Sequence, residues 1–377
     1  MEKALCGLYV HVPFCRSRCA YCDFYSTSGL ERLVSAFVQA AGQEMLARHR
    51  EVRGLVPTVY IGGGTPSVLP IADLVALLSA VREVFPVTVD AEVTVEVNPD
   101  DVTPALAGAL KDAGVNRVSM GVQTFDDDLL RFLRRRHTGQ AAVDAISYLV
   151  DEGIDNVSAD LIYGLPGQTE DGFRADVERL CSLSVTHLSA YALSYEPGTP
   201  LSLLRARGEV RETPEDVCCC MYSTLIDCAA SAGFEQYEIS NFARPGFRSR
   251  HNSAYWIGRP YVGIGPGAHS FDGHRVRRYN LPNLQAYIAA AGRPQHGTEH
   301  LSDDEQYNEL VMTRLRTREG LPIYLLTEND REYLMKNAAS HLAAGRLVTT
   351  NDALRLTRTG LFVSDGVMAD LMRLVEE

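Results

Sequence analysis

The sequence predicts an α/β protein: a closed or partly closed (β/α) barrel over residues 1–297, connecting segment included, then a small module over residues 298–377. Two observations predict the barrel. Short apolar, β-branched runs recur through the first two-thirds of the chain: GLYVHV, TVYIGG, EVTVEVN, RVSMGVQ, NVSADLIYG and HLSAYAL. Between them lie longer stretches of helical pattern, and strands alternating with helices in this way argue for βαβ units and a parallel sheet. In IADLVALLSAVREVF, Ile71, Leu74, Val75, Leu78 and Val81 recur at helical spacing and give one apolar stripe to lay against that sheet. A third observation predicts the module. From about residue 298 the pattern becomes helix, helix, two short runs (LVTT and LRLT) around the turn-like Asn351-Asp352, and a last helix, VMADLMRLV. That order reads as mostly helical and winged-helix-like.

The bulk numbers exclude some classes. The chain of 377 residues is 46% hydrophobic and 22% charged, ordinary for a globular protein able to bury a sizeable core. A formal net charge of −12 argues against a nucleic-acid binder, since phosphate recognition needs a basic surface. The run Arg134, Arg135, Arg136 reads as a solvated helix end. MEKALCGLYVHVPFC lacks the apolar core and cleavage site of a signal peptide, and no stretch approaches the ~18 apolar residues that cross a bilayer. The expected location is cytoplasmic. Nine cysteines, three of them clustered near the start, then point to metal or redox chemistry rather than disulfides.

The cluster stands in HVPFCRSRCAYCDF. Cys15, Cys19 and Cys22 have the spacing C-x3-C-x2-C directly after an apolar strand. Three thiolates can bind three irons of a [4Fe–4S] cubane and leave the fourth without a protein ligand. That open iron can take the amino and carboxylate groups of S-adenosylmethionine (SAM), with the cofactor supplying radical chemistry. The alternative is a zinc site completed by Cys6 or His11, although zinc sites more often use two separated C-x2-C pairs.

A second signal is GGGTPS, where Gly62, Gly63, Gly64 and Thr65 follow a strand. Glycines admit a ligand close to the backbone, whose amides can bind its polar groups, though such a run can also be a plain turn. Its place after the second strand matters, because α/β barrels gather function at the carboxyl ends of their strands. Glu96, Gln123 and Asp160 are polar residues in or ending successive apolar runs. Each alone is compatible with a structural hydrogen bond; together they favour one shared ligand.

The motifs LYVHVPFC, GGGTP, EVNPD, RVSMGVQTF, DLIYGLPGQT, HNSAYW and YVGIGPGAHS, in this order over nearly the whole chain, resemble the radical SAM superfamily, within it the group related to oxygen-independent coproporphyrinogen III oxidase. The resemblance implies a partial (β/α)6, TIM-like barrel with a small C-terminal domain. It implies Cys15, Cys19 and Cys22 as cluster ligands, and Gly63, Gly64 and Thr65 at the methionyl part of SAM. Glu96 would also face SAM, Gln123 and Asp160 would lie near its adenosyl half, and Arg135 would approach its carboxylate side. Tyr9, Tyr21 and Phe24 are further implied SAM contacts.

One departure separates subgroups. The oxidases carry a pattern resembling C-x3-C-x2-C-x-C, and here the fourth cysteine position is Phe24. Phe24 together with HNSAYW (His251 to Trp256) looks like the heme chaperones of this group. These are thought to bind heme as cargo and deliver it to client hemoproteins, with an electron donor serving the cluster. The alternative is an oxidase that decarboxylates propionates of coproporphyrinogen III. His251 is a candidate axial heme ligand, since imidazole suits iron, or else a satisfied histidine anchoring the segment around Trp256. Cys218, Cys219 and Cys220, in a predicted helix, and Cys181 and Cys228 read as small core hydrophobes.

Overall fold

The protein is described by a computed structural model covering residues 5–374. Six strands follow in chain order: β1 (Gly7–Val12), β2 (Val56–Gly63), β3 (Val87–Val97), β4 (Arg117–Gln123), β5 (Asn156–Tyr163) and β6 (His187–Ala192). Each pairs in parallel with the next. Between them run α1 (Val34–Arg48), α2 (Ile71–Val84), α3 (Pro104–Asp112), α4 (Asp127–Phe132), α5 (Gly139–Asp151) and α6 (Glu170–Ser182). Threonine starts three of these crossovers: Thr103, Thr138 and Thr169 accept from the backbone N–H groups of Leu106, Ala141 and Gly172. Each cap stabilises its helix by about 1 kcal/mol and fixes where the chain turns back towards the sheet.

The sheet does not stop at six strands. The chain adds β7 (Glu235–Glu238), β8 (Asn241–Ala243), β9 (Tyr261–Ile264), β10 (His269–Phe271), β11 (Val276–Asn280) and β12 (His296–His300). β9 pairs with β1 and β8 with β6, in a twelve-stranded sheet. Both edges of β1 and of β6 are thereby taken, so these two strands cannot close on each other and the barrel stays partial. Glu44 of α1 ties the added strands to the barrel. Fully buried, it accepts from Arg48 (2.8 Å), the Gly265 amide (2.9 Å), Asn280 (2.8 Å) and Tyr287 (2.7 Å). A buried carboxylate persists only with such a complete set of donors.

The C-terminal part has its own core, built on Val311, Leu315, Leu334, Leu354 and Leu371. Helices Asp303–Leu315, Glu328–Ala343 and Ser364–Leu371 pack around a small sheet of β13 (Leu321–Pro322), β14 (Leu347–Thr350) and β15 (Ala353–Leu356). Asn351 and Asp352 join β14 to β15 with φ of 51° and 58°, the left-handed pair that a two-residue hairpin favours. Arg316 pairs with the buried Glu238 at 2.8 Å and Arg358 with Asp227 at 2.6 Å, linking the module to the barrel side.

Four expectations change in detail. The last helix ends at Leu371, not at position 375, which lies outside the described residues. The buried stripe of α2 is Leu74, Leu77, Leu78 and Val81, with Ile71 exposed, because Ile71 opens the helix beyond the edge of the packed face. Cys181 and Cys228 are half-buried and pack against the core, whereas Cys220 is exposed and Cys218 and Cys219 are half-buried, since consecutive helical positions point in different directions and only one arc can face inward. Arg134 is solvated, but Arg135 turns inward. Among the described residues no helix is long and apolar enough to cross a membrane.

Candidate functional site

The cavity that opens at the carboxyl ends of β2 to β6 has a volume of about 410 Å³, within the usual range for small-molecule sites. Cys15, Cys19 and Cys22 line it from the loop after β1, and Tyr21 and Phe24 from the same loop. Gly63, Gly64 and Thr65 line it from the end of β2, Glu96 from β3, Gln123 from β4, Asp160 from β5, and Arg135 from the segment after α4. Residues spread over 145 positions of sequence, from Cys15 to Asp160 (160 − 15), thus meet at one place. Tyr9 and His251 are absent from this lining. The Tyr9 hydroxyl bonds Nδ1 of His11 at 3.0 Å.

Local packing dictates the glycines. A Cβ on Gly62 would lie 2.8 Å from the Glu96 carboxyl; one on Gly63, where φ is +108°, would lie 2.5 Å from the His11 ring. One on Gly64 would meet the Phe14 carbonyl at 2.6 Å. The amides expected to meet a ligand are already engaged: Gly63 N–H donates to Glu96 (3.0 Å), Gly64 to Val12 (2.8 Å) and Thr65 to Phe14 (2.7 Å). These bonds lock the GGGTP turn against the cysteine loop, and any ligand must meet it through other atoms.

Around the thiols the contacts are specific. Cys15 Sγ lies 3.5 Å from the Thr65 hydroxyl, and Arg135 Nη1 lies 3.3 Å from Cys19 Sγ. Arg135 is held by Asn98 Oδ1 at 2.8 Å and by the Gly121 carbonyl. Among the described residues no three His, Cys, Asp or Glu side chains surround a single-ion position. Cys6 and His11, the residues that would complete a zinc site, do not line this cavity: Cys6 Sγ lies against the Gly7 carbonyl, and His11 Nε2 bonds the Tyr25 carbonyl at 2.8 Å. A cubane makes no such demand, since each thiolate binds a different iron.

The cavity floor is acidic and desolvated. Burial pushes Glu96 up to about 7, against the hydrogen bonds from Tyr60 (2.7 Å) and Gly63. Burial likewise pushes Asp160 up to about 6, offset by Ser189 and by the guanidiniums of Arg117 and Arg135. Two carboxyls in a dry cleft suit a cationic ligand, because a cation restores the ionised form of each. Thiols, carboxyls and size together fit a cluster with SAM.

Several lining residues escape the motif-based reading: Tyr60, Asn98, Arg117, Ser119, Ser189, Tyr191 and Asn252. Their signal lies in period two. Arg117, Ser119 and Gly121 alternate along β4 and face the cavity together. A register shift between Gly121 and Gln123, with Gln123 at φ 72°, then re-aims the strand end. Arg117, 1% exposed, has Nε and Nη1 without partners among the described residues.

His251 lies among hydrogen-bond partners from two elements. Its Nδ1 lies 3.0 Å from the Thr58 hydroxyl and its Nε2 2.7 Å from that of Tyr255, while the ring stacks on Tyr60. Both ring nitrogens are thus hydrogen-bonded. Burial lowers its pKa to about 3. The folded state therefore resists a proton that the unfolded state accepts near its ordinary pKa, and stability falls as pH drops through that value. The expected loss between pH 7 and pH 5 is about 2 kcal/mol from this residue. Denaturant unfolding of His251→Gln should show a shallower acid limb than the parent; parallel limbs would contradict the assignment.

A partial barrel with three cysteines on its first loop and a glycine turn, two acids and an amide at its strand ends is the architecture of a radical SAM protein. The Radical SAM superfamily model matches residues 9–180, and the HemN C-terminal domain model matches residues 301–363. The heme chaperone HemW of Mycobacterium tuberculosis is 39% identical, covering 97% of this chain and 94% of its own. That of Bacillus subtilis is 36% identical, over 95% and 97%. The chain belongs to the HemW family. A mitochondrial radical S-adenosyl methionine domain-containing protein 1 from Danio rerio is 33% identical, over 97% and 86%. Among solved structures, coproporphyrinogen III oxidase (HemN) from Escherichia coli superposes with a TM-score of 0.83 at 23% identity, covering 98% and 90% of the two chains. That likeness establishes the shared fold.

Proposed function

We propose that this protein carries heme and transfers it to client hemoproteins, with a [4Fe–4S] cluster on Cys15, Cys19 and Cys22 and SAM in the adjoining cavity. The observation that carries the reading is 39% identity over 97% of this chain with a heme chaperone, supported by Phe24 at the position where the resemblance gives the oxidases a fourth cysteine. Phe24 is 64% exposed at the cavity mouth, so nothing in the packing requires an aromatic there. When bound, the cluster and SAM supply one-electron chemistry. The chain's own part is to hold the thiols around an enclosed space, to set Arg135 against Cys19, and to offer Glu96 and Asp160 to the cationic groups of SAM. Tyr21 closes the side of the cavity next to the cluster.

The same cavity would serve an oxidase, which makes turnover the test. With the cluster reconstituted and SAM and a reductant supplied, no protoporphyrinogen IX is expected from coproporphyrinogen III under anaerobic conditions. Many turnovers would make the protein an oxidase and end the carrier reading. Hemin binding by the same sample is the positive counterpart.

A further inference from the structure

Two arginines are buried among the described residues, Arg48 at 4% and Arg117 at 1% exposure, and their surroundings are opposite. Arg48 has a full set of partners: Glu44 at 2.8 Å, Glu51 at 2.7 Å, the Gly263 carbonyl at 2.6 Å and Ser270 at 2.9 Å. Arg117 opens β4 and has no carboxylate partner among the described residues, and its Nε and Nη1 lack any hydrogen bond. Glu92, four residues before Glu96 on β3, accepts instead from the backbone amides of Arg250 (2.8 Å) and His251 (2.9 Å). Burial and this same guanidinium hold His187 and His251 below the ordinary histidine range, so neither adds a charge beside it near neutral pH. A buried cation left without partners opposes folding.

Arg117 does share a cavity with two acids, Glu96 and Asp160. Register sets their levels: Arg117 stands beside Thr94, Glu96 beside Ser119, and Asp160 beside Gly121. At about 3.3 Å per residue, the Arg117 backbone lies about 7 Å deeper in the barrel than the level of Glu96. The other groups around the acids are neutral or engaged. Glu96 meets the Tyr60 hydroxyl and the Gly63 amide, with the phenols of Tyr9 and Tyr255 nearby; Asp160 meets Ser189, with Tyr191 nearby. Burial pushes all four phenols up, so they stay un-ionised. Arg135, the other cation near Asp160, donates to Asn98 at 2.8 Å and to the Gly121 carbonyl and lies 3.3 Å from Cys19 Sγ. Burial raises both acids, and the Arg117 guanidinium opposes that rise in each.

Resting on the SAM reading of this cavity, we propose that Arg117 is a positioning residue of that site: its unpaired guanidinium, set beneath Glu96 and Asp160, keeps both as carboxylates for a cationic ligand. The charges match. Two carboxylates and one guanidinium leave one net negative charge, and SAM, with a sulfonium, an ammonium and a carboxylate, brings one net positive charge. Arg117 acts through the two acids, and its cost to folding is offset only when they ionise.

Calorimetric titration of SAM into the cluster-loaded, full-length protein at pH 6 to 9 tests this against Arg117→Met, which keeps the bulk and removes the charge. Without the guanidinium the acids ionise about one pH unit later. The variant should bind SAM about ten-fold more weakly at pH 6, with the deficit closing by pH 9. At pH 7 it should release more protons per SAM bound, read from the heats in buffers of different ionisation enthalpy. Denaturant unfolding of the apoproteins is the second measurement. At pH 5, where the acids are largely protonated, the variant should be at least as stable as the parent, and that advantage should shrink by pH 8. A variant that folds poorly or is less stable at pH 5 would make Arg117 a structural residue and overturn the proposal. A pH profile like the parent's, or a loss of affinity equal at every pH, would overturn it as well and leave the SAM reading standing. A parent that binds no SAM at any pH would overturn both.

Discussion

Replacing Cys19 by alanine is expected to leave the reconstituted protein with almost no iron or sulfide, against about four of each per chain in the parent. Cys19 shares its cavity with Cys15 and Cys22 and is the thiol that Arg135 approaches at 3.3 Å. Two thiolates cannot hold three irons, and the variant would also leave the Arg135 guanidinium facing a void. Burial raises the Cys22 thiol to about 11, so loading must displace protons from buried sulfur, and two remaining ligands are poorly placed to drive that. Cys220→Ala is the control: it removes an exposed helical thiol and should load like the parent. Iron and sulfide analysis, with the visible absorbance of the cluster, reads both. Near-parent loading of Cys19→Ala would remove the cysteine triad from the cofactor, and zinc without sulfide in the parent would replace the cluster altogether.

Much of this site is legible in the sequence because its residues stand at fixed places in repeated units. Cys15, Gly63, Glu96, Gln123 and Asp160 each follow, end or interrupt an apolar run, and a parallel barrel gathers such positions at one end whatever the loops do. The six parallel strands are legible for the same reason: buried on both faces, they read as continuous apolar runs. Strands β7 to β12 escape the reading because they are three to five residues long and partly polar, as in His296–His300. Pairing with neighbours, not composition, makes them strands. Asn98 and Arg117 escape because a single polar residue in a strand pattern carries no sign of what it faces. His251 is ambiguous in sequence for a related reason: its environment is set by Thr58, far earlier in the chain. Tyr9 lies beside Tyr60, a lining residue, with its hydroxyl on His11.

Glu96→Gln is expected to stabilise the apoprotein at pH 8 and to weaken SAM binding. Glu96 is enclosed and raised to about 7, above its unfolded value of 4.5. The folded state therefore holds the proton more tightly than the unfolded state. Its favourable contribution is fully present below the unfolded value and is lost as pH rises through about 7. At pH 8 the buried charge opposes folding by about 3 kcal/mol, and at pH 5 by less than about 1 kcal/mol. Glutamine has the same shape and can serve both partners: its carbonyl can accept from Gly63 N–H, while its amide donates to the Tyr60 hydroxyl. It removes the charge without leaving an orphan. Denaturant unfolding of apo variants at the two pH values should thus show a gain at pH 8 that shrinks at pH 5. The same carboxylate, paired with a cationic ligand, is a favourable contact, and its loss should weaken SAM binding by about 30-fold or more, measured calorimetrically on cluster-loaded protein. Equal stability of the two proteins at pH 8 would contradict the burial argument, and unchanged SAM affinity would move the ligand away from β3. Gain in one measurement and loss in the other is the signature of a residue kept at a cost to folding for the sake of a ligand, a combination that a purely structural carboxylate would not produce.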